Sequence, residues 1–280
     1  MNLDLAQEIQ HDAIECRLVQ EQYNEAMRPA KTSRAEAVVL KAIDYGEADK
    51  ILTLYTPSLG KVHAIAKGVR RVTSRMGGHL DLFAHATVLL IHGRNMEIVT
   101  EGRGLHTFAR LRDDLARLAM ACYAAELTDR FTEDGNPNRE LFRTLVRVLE
   151  RIDVGEAPER ALRLYELQLL ALSGYRPQLH RCVACDAAIE PGANAFEPAL
   201  GGVLCPVCAP SQPAARSIST PALKLLRNLQ TRGAGMLAVD VPPPVRDEAE
   251  SMLSLYIHYL LERRPSSAAF LETLRQTETA

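Results

Sequence analysis

RCVACDAAIEPGANAFEPALGGVLCPVCA, residues 181–209, decides how the rest of the chain is read. Cys182 and Cys185 are followed nineteen residues later by Cys205 and Cys208, a C-x2-C-x19-C-x2-C pattern. Each pair can present two thiolates from one tight turn, and four soft ligands suit the tetrahedral site that zinc accepts. The expectation is a zinc ribbon holding one ion. Four thiolates fill the coordination sphere, whereas a catalytic zinc keeps a position open for water or substrate, so the metal is expected to be structural. Two disulfides would need an oxidising compartment, of which the sequence carries no sign. His180 adjoins the first pair; with four cysteines at hand it is read as a solvated or DNA-facing imidazole.

Outward from this stretch, 280 residues suffice for two or three small cores, and 47% hydrophobic with 24% charged residues is ordinary for a globular chain. No apolar run reaches the length of a bilayer span. The opening MNLDLAQEIQHDAIE is acidic and polar where a signal peptide would be basic and then apolar. A cytoplasmic protein without a membrane partner is expected. Cys16 and Cys122 lack partner spacing, and Cys122, in an apolar helical run, is read as a buried thiol.

The net charge of -2 predicts no polyanion partner, but its distribution is uneven. Residues 34–112 carry twelve Lys and Arg against seven Asp and Glu, a balance of +5, while the first 33 residues stand at -3 and the remainder at -4. Positive charge gathered in one segment points to an acidic partner.

Residues 1–26 form an acidic lead-in in which Leu5, Ile9 and Leu18 are too loosely spaced for an apolar face; Met27 lies just ahead of the first convincing strand. The lead-in is either an appended segment or sequence upstream of the natural start. AEAVVLKAI, KILTLYT, KVHAIAK, ATVLLIH and NMEIVTE then read as five short strands separated by turn residues. VLLI is expected to be buried on both sides. Five short strands in about seventy residues suggest an OB-fold barrel over 34–104.

Lys61 opens the third strand, and Lys67, Arg70, Arg71 and Arg75 follow in the segment before the fourth, with no acidic residue from Lys61 to Leu80; Gly68, Gly77 and Gly78 keep the backbone adaptable. On a barrel whose loops commonly bind oligonucleotides, these five are the candidate DNA-binding residues. The barrel offers only Tyr45, Tyr55 and Phe83 for base stacking, so binding should lean on phosphate, tolerate any sequence and weaken with salt.

After Gly104 the pattern is helical. Phe108, Leu111, Leu115, Leu118, Cys122 and Leu127 predict one core-facing stripe; Asn136 is the expected N-cap of the next helix, with Leu141, Leu145, Val148 and Ile152 on its buried face. A third helix enters at Pro158 and ends by Gly174. Helices resume after the cysteines, from Ser219 and again over 241–264, where Met252, Leu255, Tyr256, Tyr259 and Leu260 share a side and His258 is expected to be packed. Glu126, Asp129 and Glu166 are read as solvated ion-pair partners. The fold class is therefore α+β: an acidic extension (1–33), a five-stranded OB-fold barrel (34–104) and an all-α helical domain (105–178 and 213–280) with an inserted four-cysteine zinc ribbon (179–212).

No nucleophile elbow, phosphate-binding loop or dinucleotide fingerprint is present, and GRG at 102–104 is too short to count. The residues alone predict a non-enzymatic nucleic-acid-binding protein. A zinc-ribbon adaptor that binds only proteins is the alternative, and a zinc hydrolase is disfavoured by the closed ligand set.

The order and wording of these parts match a known family. EAVVLKAIDYGEADKILTLYTPSLGKVHAIAKGVRRVTSRMGGHLDLF (36–83) closely resembles the N-terminal domain of the bacterial recombination mediator family RecO. GYRPQLHRCVACDA (174–187) resembles that family's entry into its zinc ribbon, and FLETL near the C-terminus resembles its final helix. The likeness covers roughly residues 34–275; the acidic lead-in departs from it. The resemblance implies an OB-fold, a helical domain and a zinc ribbon. It also implies binding of single- and double-stranded DNA, annealing of complementary strands, and action with RecR in helping RecA replace SSB, whose acidic C-terminal tail would be contacted on the helical domain.

Overall fold

The computed structural model describes residues 32–278. The lead-in at 1–26, with Cys16 and Met27, lies outside the described residues.

Strands β1 (Thr32–Tyr45), β2 (Asp49–Thr56), β3 (Gly60–Ala66), β4 (His85–Ile91) and β5 (Glu97–His106) close a barrel in the order β1-β2-β3-β5-β4. β1 completes the circuit by pairing with β2 along one half and β4 along the other; β3 and β5 run parallel and the remaining pairs are antiparallel. Alternation explains the closure. Ala35, Ala37, Ala64, Ala66, Ala84 and Ala86 keep the interior narrow, and Val39, Leu52, Leu54, Val88, Leu90 and Val99 fill it. VLLI is not buried on both sides. Val88 and Leu90 point inward while Leu89 and Ile91 are half exposed, because no second layer covers that wall of the barrel.

A bulge in β1 between Val39 and Lys41 sets the barrel's outer contacts. The extra residue, Leu40, allows two successive side chains to leave by the same face. Leu40 enters the helical core with Val38, Tyr55 and Phe83, and Lys41 reaches Asp129.

Six helices follow among the described residues: α1 (Leu115–Phe131), α2 (Arg139–Val154), α3 (Pro158–Leu172), α4 (Thr220–Arg232), α5 (Pro243–Leu261) and α6 (Ser266–Glu278). Asp114 caps α1 by accepting from the N–H groups of Ala116 and Arg117. The helix is packed by β1, α2, α3 and α6, so its buried residues include Ala119, Met120, Tyr123, Ala124, Leu127 and Thr128. The single stripe expected there is corrected: a separate short turn holds Leu111, Leu115 is exposed, and Cys122 is only half buried. α2 buries Leu141, Leu145, Val148 and Ile152 as its spacing predicts, but its cap is Asn138, which accepts from the Leu141 N–H. Asn136 instead lies against Gly60, whose φ of +69 and lack of a Cβ permit contact with the Asn136 backbone; a Cβ would come within 2.5 Å of it. On α5, Met252, Leu253, Tyr256 and Ile257 are buried, whereas Tyr259 and His258 are exposed, so the packed histidine is also corrected.

The three carboxylates read as solvated have interior duties. Glu166 on α3 is fully buried 3.0 Å from Arg163, which also approaches Glu250 of α5. Glu126 on α1 accepts from the backbone N–H groups of Ser266 and Ser267 and from the Ser267 hydroxyl, fixing the start of α6. Asp129, a turn further on, sits between Lys41 and Lys61 of the barrel. No described helix is long and apolar enough to cross a membrane.

Partial burial alone would raise the Asp129 pKa, but the two ammonium groups outweigh it and hold the carboxyl below its usual range. Its contribution is then complete above the ordinary carboxylate pKa of about 3.9 and is lost as pH falls through the lower folded value. Asp129→Asn should therefore lower Tm near neutral pH, with the gap to wild type closing in acid below about pH 4; equal melting curves at neutral pH would contradict the assignment.

Candidate metal centre and nucleic-acid interface

The four predicted cysteines converge. The sulfurs of Cys182, Cys185, Cys205 and Cys208 all lie within 4.8 Å of one another. Cys182 and Cys185 stand on a turn closed by the Asp186 N–H donating to the Cys182 carbonyl, with Arg181 and Asp186 in a two-pronged ion pair of 2.6 and 2.8 Å across its base. Cys205 and Cys208 stand on a second turn, where the N–H groups of Cys208 and Ala209 donate to the Cys205 carbonyl. Between them β6 (Asn194–Glu197) and β7 (Gly202–Leu204) pair, and β8 (Arg216–Ile218) joins from beyond residue 212.

The donor set fits a metal ion. A tetrahedral site with metal–sulfur bonds of about 2.3 Å has sulfur–sulfur edges of about 3.8 Å, and the Cys185 and Cys205 sulfurs are 3.8 Å apart. Burial pushes the Cys182 thiol up, but N–H groups of Cys205, Cys185 and Ala184 outweigh it and bring its pKa down to about 6. The Cys205 N–H donates to that sulfur at 3.4 Å. Hydrogen bonding to the Cys185 and Cys205 sulfurs drives Cys208 the other way, to about 12. His180 is exposed and outside this cluster; partial burial, Arg227 and Arg176 lower its pKa.

The basic loop after β3 is rooted in the barrel and free at its tip. Val69 and Leu80 are buried in the barrel core. The Gly68 N–H donates to the Asp49 carboxylate at 2.7 Å and the Arg70 N–H to the Ala48 carbonyl at 2.9 Å. Arg71–Ser74 makes a turn closed by a 2.8 Å bond from the Ser74 N–H to the Arg71 carbonyl. GRG acquires a structural meaning: Gly102 and Gly104 of β5 admit Leu80 and His79, which a Cβ would meet at 3.1 and 2.8 Å. Alternate glycines in a strand were the available signal for such an approach.

The five candidate DNA-binding residues separate. Lys67, Arg71 and Arg75 are exposed and have no ion pair among the described residues. Arg70 lies 3.3 Å from Asp44, both part exposed. Lys61 is the departure: its ammonium donates to the backbone carbonyls of Asp129 and Thr132, each at 2.8 Å, and lies 3.3 Å from the Asp129 carboxylate and 3.6 Å from that of Asp134. It is committed to the seam with the helices because β3 begins beneath the α1–α2 connection, where Lys61 bridges Asp134 and its carbonyl accepts from the Gly135 N–H at 3.0 Å. Of the three aromatics, Tyr55 and Phe83 are buried and Tyr45 is exposed.

Two family models match the chain, "Recombination protein O N terminal" over residues 27–108 and "Recombination protein O C terminal" over 112–269. Among similar proteins are those named DNA repair protein RecO from Roseiflexus sp. (43% identical, 87% of this chain and 86% of the relative), from Pelotomaculum thermopropionicum (38%, 88% and 96%) and from Anaeromyxobacter sp. (38%, 84% and 93%).

Cys182 is the buried member of the sulfur cluster, so Cys182→Ser should abolish metal retention on gel filtration and lower Tm by on the order of 10 °C. A variant that kept its metal and its melting temperature would show that the four sulfurs do not act as one site.

Proposed function

The chain belongs to the RecO family of DNA repair and recombination mediators, which are not enzymes, and from that membership we propose that it binds single- and double-stranded DNA and anneals complementary strands. With RecR it helps load RecA onto SSB-coated DNA, and it touches the acidic C-terminal tail of SSB through its helical domain. Its place of action is the cytoplasm, at the nucleoid.

The observation that carries the reading is the set Lys67, Arg71 and Arg75, exposed on a rooted loop and unpaired among the described residues. Arg70 joins them, since a part-exposed pair such as Arg70–Asp44 is worth at most about 1 kcal/mol and yields readily to phosphate. Cations that neutralise phosphates on two strands reduce the repulsion that keeps those strands apart. Lys61 contributes through the seam. The four cysteines hold one zinc ion, which fixes the ribbon without chemistry of its own, because no coordination position is left for substrate.

Replacing Lys67, Arg71 and Arg75 together with Glu should flatten the dependence of log affinity on log salt for single-stranded DNA by about 2, at roughly 0.7 per phosphate contact, and should abolish annealing of complementary oligonucleotides coated with SSB. An unchanged salt slope would refute the loop as the phosphate contact.

A further inference from the structure

Five isoleucines form one row across the outer wall of the barrel. Ile43 stands opposite Ile51, Ile51 opposite Ile65, Ile65 opposite Ile98, and Ile98 opposite Ile91. The strand neighbours Ala42, Leu52, Ala64, Ala66, Leu90 and Val99 belong to the interior, so alternation turns every isoleucine of the row outward. None is fully buried, and Ile43 is 61% exposed. Adjacent strands lie about 4.8 Å apart, so the part from Ile43 to Ile65 alone makes an aliphatic strip about 10 Å across.

The strip has a cationic bank. Two residues beyond Ile65, Lys67 begins the loop that carries Arg71 and Arg75. Apolar floor and unpaired cations side by side complement a polymer whose apolar faces and anionic backbone also run side by side. Single-stranded DNA has that arrangement; a duplex hides its base faces in the stack.

We propose that the row centred on Ile43, Ile51 and Ile65 is the base-facing floor of a single-stranded DNA site, with Lys67, Arg71 and Arg75 taking the phosphates; this rests on the DNA-binding reading given above. Isoleucine has no π face. A base lying on it is held more weakly than on an aromatic platform and in no preferred stack. Bases carried this way stay available to an incoming complementary strand, which is what annealing requires.

The test uses the full chain, fluorescence anisotropy and two probes of about 15 nucleotides: oligothymidylate, and a strand of abasic tetrahydrofuran residues with the same phosphates. Threonine keeps the β-branch and removes apolar surface. The double variant Ile43→Thr, Ile65→Thr should bind oligothymidylate about tenfold more weakly with an unchanged salt slope, and the abasic strand less than about twofold more weakly. Should the double variant fold poorly, Ile43→Thr alone, at the most exposed position of the row, should lose about threefold on oligothymidylate only. Wild-type affinity for oligothymidylate in these variants would overturn the proposal and leave the row as a protein-docking surface, and so would an equal loss on both probes. Either result, with the triple Glu variant still flattening the salt slope, sinks the aliphatic floor but spares DNA binding by the loop; a wild-type chain that binds neither probe sinks both.

Discussion

The arrangement of the molecule depends on one carboxylate held between two ammonium groups. Asp129 leaves the last turn of α1 and meets Lys41 from β1 and Lys61 from β3. Each lysine arrives by a local device: the β1 bulge turns Lys41 outward, and Gly60 lets β3 begin hard against the Asn136 backbone. Lys61 also takes two backbone carbonyls at the end of α1, groups that a helix terminus leaves without internal partners. Tyr55 and Phe142 pack beside this polar knot with ring centroids 6.3 Å apart. Barrel and helices thus share a seam that is charged at one edge and apolar behind it, and the basic loop projects from the barrel in a fixed direction.

The cysteine turns are integrated in the same way. Phe196, Val203, Leu204 and Cys182 belong to the core that also holds the helices. Phe196 meets Tyr256 of α5 edge to face at 5.4 Å, and Arg227 of α4 donates to the carbonyls of Leu179 and Ile189. A metal among the four sulfurs would therefore brace part of the helical core as well as a surface knuckle. A coordination sphere with no open position would thus still matter to the stability of the helical core.

Much of this was legible in the residues. Turn chemistry and period-two alternation gave all five barrel strands, and C-x2-C spacing gave all four sulfurs. What escaped depended on partners distant in the chain. Lys61 looks like any cation of a basic segment until Asp129 and Asp134 are folded over it. Glu166 and Arg163, three residues apart, look like a solvated pair until α5 brings Glu250 against that arginine and both are buried. The phase of α1 is hidden because a separate short turn precedes Asp114 and because a helix packed from several sides buries residues all round. His258 sits in an apolar run yet faces out, since a run of that kind does not reveal which arc of α5 meets its neighbours. The isoleucine row is invisible in one dimension, for its members come from five strands and meet only through their register.

The contact between Glu126 and the start of α6 has a consequence for how the chain matures. The barrel draws all its strands from residues 32–106 and can complete its hydrogen bonds early in synthesis, whereas α1 receives Ser266 and Ser267 only after 140 further residues have been made. Until then α1 lacks one of the elements packed against it, and contacts this remote in sequence form slowly. A nascent chain would carry a hydrogen-bonded barrel ahead of a helical body that its own C-terminal helix has yet to seal.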